Sequence, residues 1–245
     1  MPLLWYTRAM TMGEITERLS RQAAGLTFGP PVAYVYNPLE YAQAGWDAYV
    51  TAFGNGPREV LLVGMNPGPF GMAQTGVPFG DVPSVRDWMG LRADIGKPRE
   101  EHLRRPVEGF ACQRREVSGQ RLWGWAAKRF GTALRFFERF FVTNYCPLCF
   151  LEASGRNRTP DKLPALERTR LFKICDGALA AQADHFHPKY VIGIGAFAET
   201  RIRSALDGRD VRIGRILHPS PASPAANRGW DTAVEAALEE MGVHF

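Results

Sequence analysis

Two loops carry the side chains best suited to chemistry in this sequence. One is Gly64-Met65-Asn66-Pro67-Gly68-Pro69-Phe70-Gly71-Met72, which holds Asn66; the other opens at His218 in His218-Pro219-Ser220-Pro221. The stretch Asn66-Pro67-Gly68-Pro69 can neither continue a strand nor begin a normal helix, because its prolines lack N–H donors and its glycine admits unusual dihedrals. A sharp, stiff turn follows, and a turn alone would account for that composition. An amide at such a turn has a further use, since it donates and accepts at once and so can hold a water molecule. It cannot take the proton as a carboxylate can. A histidine before proline can likewise be a satisfied turn residue, or it can aim a donor at charge that develops in a reaction. Such a pair would work by positioning water and stabilising charge.

Both loops follow short apolar runs that read as buried strands, Glu59 to Val63 and Val211 to Leu217. In an open parallel sheet the loops leaving the strand C-termini line the ligand crevice, so the amide and the imidazole are expected to face one pocket. Two more strands are expected at Phe140 to Asn144 and Tyr190 to Ile194. Helices are expected at Glu14 to Leu26, Pro38 to Phe53, Leu122 to Phe137, Leu163 to His185, Ala196 to Leu206 and Asp231 to Met241. This alternation predicts an α/β fold, a three-layer α/β/α arrangement with a small four-stranded parallel sheet. Residues 91–120 have little periodicity and contain Lys97-Pro98 and Arg105-Pro106, so they read as a long excursion with a short hairpin around Cys112 to Val117. No linker or repeat divides the chain, and residues 1–245 are read as a single domain.

With 245 residues and 45% hydrophobic content the chain can bury a substantial core, which excludes a disordered protein. The net charge of +5 is unevenly spread. Lys97 to Arg139 holds eleven Lys/Arg against five Glu, and Arg201 to Arg228 holds six Arg against Asp207 and Asp210. Each cluster can be an ordinary solvated face or part of a footprint for a polyanion, and in the first cluster Arg114 and Arg115 are the candidates for phosphate contacts. No run approaches the ~18 apolar residues of a membrane span. The N-terminus lacks the charged stretch and apolar segment of a secretory signal, which implies a reducing compartment, cytoplasmic in a prokaryote or nuclear in a eukaryote. Cys146-Pro147-Leu148-Cys149 has the spacing of a redox pair or half a metal site. Without a second close pair, Cys112, Cys146, Cys149 and Cys175 read as buried inert thiols, and no metal is expected. His185-Phe186-His187 reads as the close of a helix ahead of Pro188.

Gly64 to Gly80 (GMNPGPFGMAQTGVPFG), Asn144-Tyr145-Cys146-Pro147-Leu148 and His218 to Trp230 (HPSPASPAANRGW) resemble the signature segments of the single-strand-selective monofunctional uracil-DNA glycosylases. The first of these is seventeen residues of near-unbroken similarity. The resemblance implies a DNA-repair enzyme with a uracil-DNA glycosylase fold that flips uracil out of DNA and hydrolyses its N-glycosidic bond, leaving an abasic site. It implies no cofactor, and a monomer that acts on single- and double-stranded uracil-containing DNA.

It also assigns roles. Asn66 would position the hydrolytic water and His218 would stabilise the departing uracil anion at a carbonyl oxygen. Phe79, an apolar ring that would otherwise read as core, would lie under the flipped base, where stacking is worth ~1–3 kcal/mol. Asn144 would meet the Watson–Crick edge: one donor and one acceptor match uracil O4 and N3–H, whereas cytosine presents the reverse pattern. Backbone at Met65 and Gly68 would lie near the 5-position and admit 5-hydroxymethyluracil and related oxidised pyrimidines. The loop containing Pro219, Ser220, Pro221, Ala222, Asn227 and Arg228 would contact and penetrate the duplex. This chain departs from vertebrate members at Ala222, where an arginine is expected. No lysine falls in these segments, so a Schiff-base lyase step is not implied.

Two other readings remain open on the sequence: a related glycosylase for hypoxanthine or xanthine, and a non-catalytic DNA-lesion binder on the same fold. The signatures G-x-S-x-G and Walker A are absent. Gly193-Ile194-Gly195 lacks the third glycine of a dinucleotide-binding loop and reads as close packing.

Overall fold

The computed structural model describes residues 10–245; the reading of no secretory signal rests partly on residues outside that range. In chain order the elements are α1 (Met12–Ala24), β1 (Val32–Tyr36), α2 (Pro38–Tyr41), α3 (Gln43–Phe53), β2 (Val60–Gly64), α4 (Met72–Thr75), α5 (Val117–Phe130), α6 (Ala133–Phe137), β3 (Phe140–Asn144), β4 (Cys149–Glu152), β5 (Asn157–Arg158), α7 (Ala165–Phe186), β6 (Tyr190–Ile194), α8 (Ala196–Ala205), β7 (Arg212–Ile216) and α9 (Trp230–Glu240). Strands β3, β2, β6 and β7 form, in that order, the expected four-stranded parallel sheet. Every residue of β2, β3 and β6 is buried, as strands covered by helices on both faces must be. Side-chain alternation assigns the layers. Phe140 meets Trp125, Phe130 and Phe136 of α5 and α6, while Phe141 on the opposite face meets Tyr49 of α3 and Phe186 of α7.

Local chemistry accounts for the element ends. Thr11 and Glu14 form a capping box on α1, whose Met12, Ile15, Leu19 and Ala23 make one buried stripe. The helix expected over Pro38 to Phe53 is broken at Ala42, where the chain of Thr75 and Gly76 crosses too closely for one continuous helix. A Cβ on Gly45 would lie 2.0 Å from the Thr75 carbonyl oxygen, and one on Gly76 would lie 2.5 Å from that of Ala42. The helix expected over Leu122 to Phe137 starts earlier, at Val117, and breaks at Gly131, whose φ of 74° precedes the Thr132 cap of α6.

The hairpin expected around Cys112 to Val117 does not form. The Asp81 carboxylate takes the hydrogen bonds of that segment, accepting from the Glu116 amide at 3.1 Å and from the Arg115 guanidinium twice at 2.8 Å. A second, three-stranded antiparallel sheet, β1-β4-β5, was not expected. Its strands are short and lie beside proline and cysteine motifs that draw other readings. It packs around Tyr36, Cys149 and Leu151. The four cysteines are buried free thiols, and His187, with φ 46°, caps α7 while His185 bridges the Met10 and Gly54 carbonyls. Among the described residues no helix is long and apolar enough to cross a membrane.

Helix α5 crosses the Phe79 turn at Gly119, where a Cβ would lie 2.0 Å from the Phe79 carbonyl oxygen. In a free helix Gly→Ala stabilises by up to about 1 kcal/mol. Here Gly119→Ala is expected to have the opposite sign, lowering stability by about 1–3 kcal/mol through overpacking, as read from the urea midpoint.

Candidate active site

All four parallel strands end at one edge, and a cavity of about 370 Å³ opens there. The register pairs Gly64 of β2 with Asn144 of β3, and Ile194 of β6 with Ile216 of β7. Hydrogen bonds from the Tyr145 and Cys146 amides to the Gly64 and Met65 carbonyls, each 2.9 Å, extend this order into the loops. Asn66, Phe79, Asn144 and His218 therefore line the same cavity, together with Met65 and Gly68.

Each of the polar groups has a fixed orientation. Asn66 Nδ2 donates to the Leu148 carbonyl at 3.2 Å, which leaves the amide oxygen to the cavity. The Ser220 amide donates to His218 Nδ1 at 3.1 Å, so Nδ1 carries no proton and the ring N–H is at Nε2. Burial pulls the His218 pKa below its ordinary 6.5, which keeps the ring neutral. Asn144 Nδ2 lies 3.3 Å from Met72 Sδ, and its Oδ1 is buried with no partner.

Phe79 is held at φ 53°, a conformation that costs a non-glycine residue about 1–3 kcal/mol. Its carbonyl accepts from Trp123 Nε1 at 2.9 Å and from the Asp81 amide at 2.7 Å, which fixes the ring 6.3 Å from the His218 ring. Gly64 makes room for the arrangement: a Cβ there would lie 2.4 Å from Asn144 Oδ1 and 2.6 Å from Phe79 Cε2.

The loop after His218 divides into inward and outward parts. Pro219 is buried, and Asn227 has both ends of its amide occupied, accepting from Arg121 at 2.7 Å and donating to the Pro221 carbonyl at 3.0 Å. Pro219 is thus packed into the protein, and the Asn227 side chain braces the loop. Pro221, Ala222 and Arg228 are exposed and Ser220 is half-buried at the cavity. Arg121 was not singled out in the sequence. Its guanidinium also donates to the Pro219 and Ser220 carbonyls, at 3.1 and 3.3 Å, and so ties α5 to the His218 loop.

The Uracil DNA glycosylase superfamily model matches residues 52–241. The chain is 48% identical over 240 residues to the single-strand selective monofunctional uracil-DNA glycosylase of Rattus norvegicus, covering 96% of this chain and 86% of that one. The corresponding protein of Bos taurus is 46% identical, with 96% and 88% covered. This chain belongs to the single-strand selective monofunctional uracil-DNA glycosylase family. The crystal structure of Pedobacter heparinus SMUG2 has the same fold, with a TM-score of 0.67 at 17% identity over 95% of this chain and 97% of that one.

For a member of this glycosylase family the cavity has lining that the motifs did not reveal: Glu116, Ser118, Asn157 and Thr159. Glu116 lies within Arg114-Arg115-Glu116 and reads as part of a basic patch until α5 turns it inward. Asn157 and Thr159 arrive with the unexpected antiparallel sheet. The basic stretch is likewise divided. Arg115 is held by buried Asp81, and Arg129 and Arg139 pair with Glu235 and Glu59. Arg105 and Arg114 instead stack on Phe70 in the Asn66 loop, at 5.1 and 4.5 Å from the ring centre.

Because the folded pKa of His218 is depressed, the unfolded chain takes up the proton first. Its contribution to stability is complete above about pH 6.5 and declines as the pH falls through that window. Imidazole ¹⁵N NMR is expected to find the Nε2–H tautomer at neutral pH and a midpoint below 6.5. A midpoint at or above that value would contradict the assignment.

Proposed function

We propose that this protein releases uracil from DNA by hydrolysing the N-glycosidic bond, that it accepts both single- and double-stranded DNA, and that residues 1–245 act as one catalytic domain. The observation that carries the reading is the buried, unpartnered Asn144 Oδ1 beside the Phe79 ring, in one cavity with Asn66 and His218. An unpaired buried acceptor costs about 1–3 kcal/mol, and uracil N3–H is a donor of the right kind to satisfy it. Asn144 Nδ2 has a second N–H for uracil O4. Cytosine would set its N3 acceptor against the amide oxygen.

The chemistry follows from the same orientations. The base stacks on Phe79 after leaving the helix. As the C1′–N1 bond breaks, negative charge spreads onto the uracil carbonyl oxygens and the sugar becomes oxocarbenium-like. Neutral His218 donates from Nε2 to O2, where charge grows only in the transition state. Water held by Asn66 Oδ1 adds to C1′, and its proton leaves after attack because an amide is no base. None of the cavity residues is a lysine, which supports hydrolysis without a lyase step. Arg105 and Arg114 beside the mouth, with exposed Arg228, suit phosphates flanking the flipped nucleotide.

Single-turnover release of uracil from a labelled single-stranded oligonucleotide, with alkaline cleavage at the abasic site, tests the reading. Wild type should release uracil, and Asn66→Ala and His218→Ala should each slow release by about a hundredfold or more. Absence of release by the wild-type protein would overturn it.

The two arginines separate in a second experiment. Arg114→Ala should flatten the salt dependence of DNA binding by about one unit of slope per lost phosphate contact. Arg115→Ala should instead lower thermal stability, because it strips the partner from buried Asp81.

A further inference from the structure

One acid in the cavity has no part in the chemistry above. Glu116 lies at the start of α5, and no hydrogen bond or ion pair reaches its carboxyl among the described residues. The carboxyl rests on the Asn66 loop: a Cβ on Gly68 would lie 2.4 Å from Glu116 Oε2, and one on Gly71 would lie 2.9 Å from it. The glycine at 68 is thus what allows an acid to occupy this wall.

The position of that wall relative to the base follows from the ring order of uracil. With the base on Phe79, His218 meets O2 and Asn144 meets N3–H and O4, so C5 comes next, on the side away from His218. His218 enters from β7 at one end of the sheet, whereas Gly68 leaves β2 beside β3. We infer that Glu116 selects the substituent at the 5-position of the base, favouring a hydroxyl and rejecting an anionic group. The inference rests on the function proposed above.

The physical argument is one of satisfaction and charge. A hydroxyl donates and accepts, so it satisfies this carboxyl whether or not the acid is ionised. An alkyl group of the same size leaves the half-buried carboxyl without a partner in the occupied cavity. A 5-carboxylate brings a second negative charge into a site with few compensating ones. Burial, and then Asp81, push the Glu116 pKa up to about 7. The other titratable groups around it do not offset the charge: Cys149 is a buried thiol raised by burial, Arg115 is turned to Asp81, and His218 is neutral.

The test compares wild type and Glu116→Gln at pH 8, in single turnover on single-stranded oligonucleotides with uracil, 5-hydroxymethyluracil, 5-ethyluracil or 5-carboxyuracil at one position. Wild type should release 5-hydroxymethyluracil at least about tenfold faster than 5-ethyluracil, the isosteric alkyl group. Glu116→Gln should raise the ratio of 5-carboxyuracil to uracil release by about tenfold or more, because the amide keeps the shape and loses the charge. A ratio unchanged by Glu116→Gln would overturn the inference, as would equal wild-type rates for the hydroxymethyl and ethyl bases, a comparison that needs no variant. Wild type that releases none of the four bases would instead overturn the proposed function.

Discussion

The site depends on a single strained turn. Phe79 is held at φ 53° by the Trp123 indole and the Asp81 amide, both donating to its carbonyl, and by Gly119 of α5 pressed against that oxygen. Strain of this size persists only where surrounding structure over-determines it. The restraint comes from α5, which is itself anchored in the aromatic cluster of Trp123, Trp125, Phe136 and Phe140. Core packing therefore reaches the cavity through one carbonyl. The same helix carries Glu116 at its start and Arg121, which holds the His218 loop, so one helix positions three parts of the site.

The central sheet and the four residues Asn66, Phe79, Asn144 and His218 that line one cavity are legible in the sequence because each leaves a strong local mark. Val60 to Val63 and Tyr190 to Ile194 are short apolar runs between breakers, and a fully buried parallel strand needs nothing more. Asn66 and His218 announce themselves through proline-rich turns at strand ends. What the sequence hides is set by packing between distant segments. The break at Ala42 follows from the Thr75 backbone passing Gly45, a contact with no local trace. Strand β1 pairs with β4, and β4 with β5, so the sheet depends on partners up to 120 residues apart, as in Val32 paired with Glu152.

The arginines show the same limit in electrostatics. Along Lys97 to Arg139 the residue types give a net positive stretch, yet the fold ties Arg115, Arg121 and Arg139 to Asp81, to the His218 loop and to Glu59. Charge counted along the chain is not charge presented on a surface. Arg105 and Arg114 are distinguished only by Phe70, whose ring both guanidiniums stack on. Phe70 belongs to the Asn66 loop, and this couples the basic rim to the Asn66 turn.

Inside the cavity the arrangement favours dipoles over charges. His218 is kept neutral by burial, Asn66 and Asn144 are amides, and Glu116 is raised toward neutrality, so none of these groups is a fixed full charge at neutral pH. Cationic groups lie outside, at the mouth. A leaving uracil anion benefits from this separation. A preorganised N–H in a low-dielectric pocket stabilises developing charge without the desolvation cost that burying an imidazolium would carry. In the proposed function the arginines act on phosphates, which remain charged throughout. With those roles, binding at the rim should respond to salt, whereas bond breaking assisted by neutral dipoles in the cavity should be nearly indifferent to it.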